Sequence, residues 1–259
     1  MIGGPARLLP ELVPGSVSVA ETREELDEIL HREEAALAER MVDRRRREFA
    51  TVRGCARRAL RDLGFRRPPM VPGSAGEPAW PAGVVGSMTH CEHYRAAAVA
   101  RQEDVDCLGI DAEPNAPLPA GVLVRVATAP EELDGLRRLA AERPDAAVDR
   151  LLFSAKESLY KAWYPREMRW LGFGDALVRL GDGEFIADLT DPRPGGRTRR
   201  LQGRWILAED TIATAVVVPA GRWGGEADLA RRPRVIGPDP RPAGVRIPGA
   251  SMTSPAPGA

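Results

Sequence analysis

Twice along this chain a helical stripe gives way to a set of short strands, and that order most constrains the fold. In the first pass, residues 21–63 are rich in Glu, Arg, Leu and Ala and read as helix in two or more pieces. The later piece carries Phe49, Val52, Ala56, Ala59, Leu60 and Leu63 at helical spacing, a single apolar stripe. Asp43 is placed to cap that piece and Gly64 to stop it. Residues 1–20 lack periodicity and read as an extended lead-in. A Pro/Gly loop over 68–83 precedes expected strands at 84–87, 95–101 and 107–111. In the second pass, three prolines make 112–119 a loop, and helices are expected at 131–142 and 149–164, the latter ended by Pro165. Strands follow at 176–180, 184–189, 201–208 and 211–218.

Helix then strands, repeated, predicts an α+β chain of two similar halves joined near 107–119. The halves are set at 1–108 and 109–222. From 219 onward, 8 Pro and 7 Gly in 41 residues cannot bury a core, so 223–259 are expected to form a disordered tail. The chain has 259 residues, with 37 basic and 37 acidic side chains. Zero net charge argues against wholesale coating of nucleic acid, although 40–67 alone holds 11 Arg against three acids. Three cysteines argue against a disulfide scaffold and suit a reducing cytoplasm. No basic segment followed by an apolar run suggests a signal peptide, and no apolar run nears the ~20 residues that span a bilayer.

The cations divide unevenly: 35 are arginine and two are lysine, Lys156 and Lys161, five positions apart. An ammonium is not interchangeable with a guanidinium at a tight phosphate or metal site, so composition alone points to this segment. On a helical wheel Leu152, Ala155, Leu159, Ala162 and Trp163 share one side, and Ser154, Glu157 and Lys161 share the other. Lys156 lies on a flank. An isolated Glu157–Lys161 pair would be a solvated salt bridge worth a few tenths of a kcal/mol. The segment Leu108-Gly109-Ile110-Asp111-Ala112-Glu113 changes its meaning. Residues two apart on a strand face the same way, so Asp111 and Glu113 offer paired carboxylates suited to a hard cation such as Mg²⁺. Glu157 supplies a third. Mg²⁺ usually completes its shell with waters and phosphates, so three carboxylates beside two lysines suggest a metal-bridged polyphosphate.

A third segment, Gly86-Ser87-Met88-Thr89-His90, follows one strand and precedes another, placing Ser87 and His90 at a strand end. A zinc site from His90, Cys91, His93 and Cys107 is disfavoured, because adjacent His90 and Cys91 point to opposite faces of a strand. Cys91 and Cys107 are weak candidates for nucleophiles, and Cys107, in an expected buried strand, reads as inert packing. No phosphate-binding Gly-rich loop of the Walker or dinucleotide type is present, nor a G-x-S-x-G elbow.

Taken together, Gly86 to His90, Gly109 to Glu113 and Phe153 to Ala162 resemble the 4′-phosphopantetheinyl transferases. The similarity is to the larger, monomeric, pseudo-dimeric class. The basic stretch 44–58, the loop Gly76 to Pro81 and the run Trp170 to Phe173 resemble its actinobacterial branch. The resemblance covers about 35–218. It implies two halves related by a pseudo-twofold, with CoA in the cleft between them. It implies transfer of phosphopantetheine from CoA to a serine of an apo acyl- or peptidyl-carrier protein, with release of adenosine 3′,5′-bisphosphate. Asp111, Glu113 and Glu157 are then the expected ligands of Mg²⁺, with Mn²⁺ as an alternative. Glu157 and Lys161 are the expected catalytic residues, Glu157 as base. Arg45, Arg53, Ser87, His90, Lys156 and Lys161 are the expected CoA contacts. One departure stands out: many relatives carry a lysine just before the Gly-x-Pro loop, and 72–75 offers none. A monomer in the cytoplasm, binding neither nucleic acid nor membrane, is the expected context. Two other readings share these residues. A nucleic-acid module would use the Arg-rich helix, and a Mg²⁺-dependent phosphohydrolase would use the carboxylates to activate water.

Overall fold

The run Ala96-Ala97-Ala98-Val99-Ala100 is buried on both faces, and its small side chains let the layers around it stack closely. A computed structural model describes residues 7–73, 76–191 and 198–223. The first half of the chain forms α1 (Leu9–Leu12), β1 (Val17–Thr22), α2 (Arg32–Ala38), α3 (Asp43–Asp62), β2 (Val84–Cys91), β3 (Tyr94–Arg101) and β4 (Val105–Pro114). The second forms α4 (Leu123–Val126), α5 (Pro130–Glu142), α6 (Val148–Glu167), a 3₁₀ turn (Phe173–Asp175), β5 (Ala176–Leu180), β6 (Glu184–Thr190), β7 (Thr198–Ala208) and β8 (Thr211–Pro219). The fold is α+β, with two antiparallel sheets ordered β1-β3-β2 and β4-β8-β7-β6-β5. Residues 7–223 belong to one compact unit, and the 108/109 division set between halves falls inside β4.

Side-chain alternation sorts the two sheets and the helices on them into four layers. One face of β3, with Ala97 and Val99, packs under Cys55, Ala56, Ala59 and Leu60 of α3. Its other face, Tyr94, Ala96, Ala98 and Ala100, meets Leu108, Ile110 and Ala112 of β4 and Ala213 and Ala215 of β8. The far face of the five-stranded sheet takes Leu152, Ala155, Leu159 and Trp163 of α6. The order is therefore α3, small sheet, large sheet, α6. At Gly109 the last two layers nearly touch. A Cβ there would lie 2.0 Å from the Ser158 carbonyl oxygen and 2.6 Å from the Ala162 nitrogen.

Beside this face-to-face packing, the edge strands β2 and β4 approach each other without a backbone ladder. Instead, Ile110 N–H donates to Ser87 Oγ at 3.1 Å, and Ala112 N–H donates to Thr89 Oγ1 at 3.0 Å. In the small-sheet half, fully buried Glu34 ties α2 to α3. It accepts from Met70 N–H (2.8 Å) and His31 N–H (2.9 Å) and pairs with Arg57 and Arg53. Burial works to raise its pKa, but these donors outweigh burial and hold it below the usual carboxylate range.

Several expectations need correcting. β1 occupies part of the region set aside as a lead-in, and 23–30 are not helical. Pairing with β3 and the Leu26 N–H bond to Thr51 Oγ1 outweigh helix propensities of a few tenths of a kcal/mol per residue. Val42, not Asp43, is the N-cap of α3. Gly64 does end that helix, at φ +87°, with Phe65 N–H reaching Leu60 O and Gly64 N–H reaching Arg61 O. β4 continues through Glu113 to Pro114, which is tolerated at the end of an edge strand. α6 runs past Pro165 to Glu167, its last turn closed by Met168 N–H on Tyr164 O at 2.7 Å. Trp223, assigned to the tail, is core. Its indole packs on Trp163 and donates to Glu167 at 2.8 Å. The rest of the tail, 224–259, lies outside the described residues.

The Gly109 approach gives the first prediction. Gly109→Ala is expected to force α6 off β4 and to cost about 3 kcal/mol or more. A urea melt within ~0.5 kcal/mol of wild type would show that α6 can retreat freely.

Candidate active site

Because Gly109 lets α6 lie against β4, the odd-numbered side chains of β4 face the polar side of α6. Asp111 Oδ1 accepts from Lys161 Nζ at 2.7 Å and from Thr89 Oγ1 at 3.3 Å, and Oδ2 accepts from Ser154 Oγ at 2.8 Å. Ser154 in turn is held by Thr214 of β8, whose hydroxyl donates to the Ser154 carbonyl at 3.0 Å. Glu113 Oε2 accepts from Arg150 at 3.0 Å. The polar face read on the wheel is thus turned inward onto β4 rather than out to water.

Glu157 is the outlier. It is 7% exposed, and among the described residues no side-chain hydrogen bond or ion pair within 4.0 Å reaches its carboxylate. Burial, then the charge of Asp111, pushes its pKa up to about 8, with Lys161 pulling the other way. Glu113 rises to about 7, through burial first and Asp111 second, opposed by Arg150 and Lys161. Three mutually repelling carboxylates are an arrangement that favours added positive charge. Among the described residues, no group of three His, Cys, Asp or Glu side chains closes into a metal cage. An all-oxygen donor set with an unpartnered buried member nevertheless fits a hard divalent cation that draws its other ligands from water and phosphate.

The opposite wall comes from α3 and β2. Arg45 Nη1 donates to His90 Nε2, and Glu48 Oε2 lies 3.6 Å from both groups. Arg44 Nε also donates to Glu48 at 3.1 Å. Burial first, then the charges of Arg45, Lys161, Arg95 and Arg44, lowers His90 to about 3. The imidazole is therefore neutral, and its contact with Glu48 is not an ion pair. The influence of Lys161 on His90 links this wall to the carboxylates.

Three expected CoA contacts are engaged elsewhere in this structure. Lys156 is the clearest: its side chain is 1% exposed, and its Nζ donates to Val126 O (2.8 Å), Phe173 O (2.8 Å) and Glu132 Oε1 (2.7 Å). An ammonium has three donors, so none is left for a phosphate. Burial lowers the Lys156 pKa, and the Glu132 hydrogen bond and charge raise it. Arg53 donates to Met70 O and Phe49 O, pairs with Glu34 and stacks over the Phe49 ring. Ser87 Oγ accepts from Ile110 N–H of β4, which leaves its own O–H to donate. Sequence reasoning missed Thr89, Glu48 and Arg150. Thr89 was legible, since it shares a strand face with Ser87, whereas nothing local marked Arg150 or Glu132. All three cysteines are free and buried. Burial raises each thiol, Cys55 to about 11 and Cys107 to about 12, in keeping with inert packing.

Comparison with known proteins adds an independent line. The profile of the "4'-phosphopantetheinyl transferase N-terminal domain" matches residues 33–100, and that of the "4'-phosphopantetheinyl transferase superfamily" matches 107–214. The chain is 49% identical over 223 residues to the 4'-phosphopantetheinyl transferase Svp of Streptomyces mobaraensis, covering 83% of this chain and 90% of the relative. It is 43% identical to PptT of Mycobacterium tuberculosis, covering 72% and 85%. It is 34% identical to enterobactin synthase component D of Salmonella typhimurium, covering 74% and 81%.

Two predictions follow from the geometry. Glu113 and Glu157 titrate higher in the folded protein than in the unfolded chain, so the folded state holds the extra protons. Their contribution to stability therefore falls as pH rises toward about 8. The metal-free melting temperature of Glu157→Gln should decline less than that of wild type between ~pH 5.5 and ~pH 8.5, and Mg²⁺ should stabilise wild type more at the higher pH. Equal pH slopes, or an Mg²⁺ effect independent of pH, would contradict this. Separately, Lys156→Met should cost about 3–5 kcal/mol in urea unfolding by stranding Glu132, and adding Glu132→Gln should recover part of that loss.

Proposed function

The chain belongs to the 4′-phosphopantetheinyl transferase superfamily, and on that premise we propose that it moves the 4′-phosphopantetheine arm of CoA onto a serine of an apo acyl- or peptidyl-carrier protein. The observation that carries the proposal is the meeting of Asp111, Glu113, Glu157 and Lys161 on the β4–α6 face, with Arg45 and His90 on the neighbouring wall. Two 20-residue helices, α3 and α6, each cover one sheet, which supports reading the halves as related by a pseudo-twofold with CoA between them.

In this reaction the serine Oγ forms a bond to the phosphorus that bears pantetheine. The bond from that phosphorus to the bridging oxygen breaks, and adenosine 3′,5′-bisphosphate leaves. A serine hydroxyl is a weak nucleophile and needs a base placed at its proton. Glu157, unpartnered and with a pKa of about 8, fits that role, receiving the proton directly or through a water. Lys161 sets a positive charge beside the phosphates, and Asp111 holds its ammonium in place. Arg45, oriented by Glu48 and by the neutral His90, presents a second cation. Mg²⁺ held by Asp111, Glu113 and Glu157 would offset charge on the phosphate oxygens.

Carrier proteins are usually acidic around the serine-bearing helix. The outer face of α3 offers exposed Arg44, Arg46 and Arg47 to steer them. The carriers of fatty-acid, polyketide, nonribosomal-peptide and siderophore assembly all present such a helix. Three free buried cysteines support action in the cytoplasm, and a monomer suffices because both walls come from one chain. Among the described residues, no helix is long and apolar enough to cross a membrane.

The test is to mix the protein with CoA, Mg²⁺ and an apo carrier and weigh the carrier intact. A gain of ~340 Da that disappears with EDTA is the expected result. Glu157→Gln should slow transfer by ~10²–10⁴-fold without loss of fold, since its carboxylate anchors nothing. Turnover like wild type by that variant, or no mass gain on any carrier, would defeat the assignment.

A further inference from the structure

Arg95 is the anomaly among the buried cations of the described residues. It lies on β3, directly opposite His90 in the β2–β3 ladder, and is 7% exposed. Among the described residues no hydrogen bond or ion pair reaches its guanidinium, and Nε is sealed from solvent without an acceptor. The buried arginines of α3 differ in being ion-paired, although Arg57 Nε also lacks an acceptor. Arg53 and Arg57 both pair with Glu34, and Arg53 also holds two carbonyl oxygens. Arg95 has only its backbone engaged, its carbonyl accepting from Cys55 Sγ–H and its strand positions pairing with Thr22 and His90.

The surroundings make matters worse for an unpaired cation. The charges of Arg45, Lys161, Arg95 and Arg44 all act on the His90 ring. Two anions of the site are already paired: Glu48 with Arg44 and Arg45, and Asp111 with Lys161. A buried guanidinium without a partner is strongly unfavourable, and folds keep such a group where an anion arrives to complete it. The guanidinium fork matches phosphate oxygens two at a time.

We infer that Arg95 is a phosphate-binding residue of the CoA cleft, acting beside Arg45 on a phosphoryl group of the substrate. This rests on the transferase reading above. The phosphate could be the 3′-monoester of CoA or its pyrophosphate, and the two are separable by ligand. CoA and 3′-dephospho-CoA would be titrated calorimetrically into wild type, Arg95→Met and Arg95→Lys, with melting temperatures taken alongside. Arg95→Met should lose about ten- to a hundredfold in CoA affinity, with Arg95→Lys between it and wild type. The ligand-free melting temperature of Arg95→Met should equal or exceed that of wild type, because a stranded charge is gone, while its rise on adding CoA shrinks. A loss seen with CoA but not with 3′-dephospho-CoA assigns the 3′-phosphate, and an equal loss with both assigns the pyrophosphate. Wild-type affinity in both variants would overturn the inference. So would an unfolded Arg95→Met together with a folded Arg95→Lys that binds CoA like wild type, since Arg95 would then be structural. Wild type that binds no CoA would defeat the transferase reading itself, and this assignment with it.

Discussion

Everything about this site depends on how closely α6 can approach β4, and Gly109 sets that distance. With no side chain there, the helix backbone settles against the strand, and Ser158 and Ala162 occupy the space a Cβ would need. One turn to either side, Ser154 and Lys161 come within hydrogen-bonding reach of Asp111, and Glu157 is buried above the same face. A larger residue would separate the layers and, with them, the charged groups. The Gly in this motif is a packing requirement before it is anything chemical.

A second constraint joins the halves. β2 and β4 are both edge strands, and unpaired edges need partners. Ser87 and Thr89 answer with their hydroxyls, taking the N–H groups of Ile110 and Ala112. Thr89 does double service, since it also donates to Asp111. The same two rungs that hold the sheets together therefore set His90 and Arg45 from one half beside Asp111 and Lys161 from the other. The site is electrostatically incomplete as it stands. On one wall Glu113 and Glu157 have pKa values raised by burial and by the charge of Asp111, and on the other the cations crowd His90, an arrangement suited to an added cation and an added anion.

Legibility followed the range of each interaction. Helices α3, α5 and α6 and the later strands were readable because their apolar spacing is local. β1 was not, because an edge strand with one firmly buried residue leaves almost no pattern. Asp111, Glu113, Glu157 and Lys161 were readable as a set because two-residue and four-residue spacings fix which side chains share a face. For Lys156 and Arg53 the sequence offers a charge in a segment, and only the folded chain shows Glu132, Glu34 and the carbonyl oxygens that engage them. Trp223 sat at the start of a Pro/Gly-rich run and looked like tail, yet Trp163 and Glu167 hold it in the core.

By itself, then, the sequence determined the α+β class, the order of elements and the identity of the carboxylate–lysine group, since periodicity and residue chemistry act over a few positions. The tertiary structure decided which charges remain available for chemistry. A cation is spent or free according to what lies across from it, and the partners of Lys156 and Lys161 stand 17 to 50 residues away in sequence. Lys156 is spent on Glu132 and two carbonyls, while Arg95 finds nothing. No local pattern distinguishes the two, because desolvation and pairing are properties of the assembled layers.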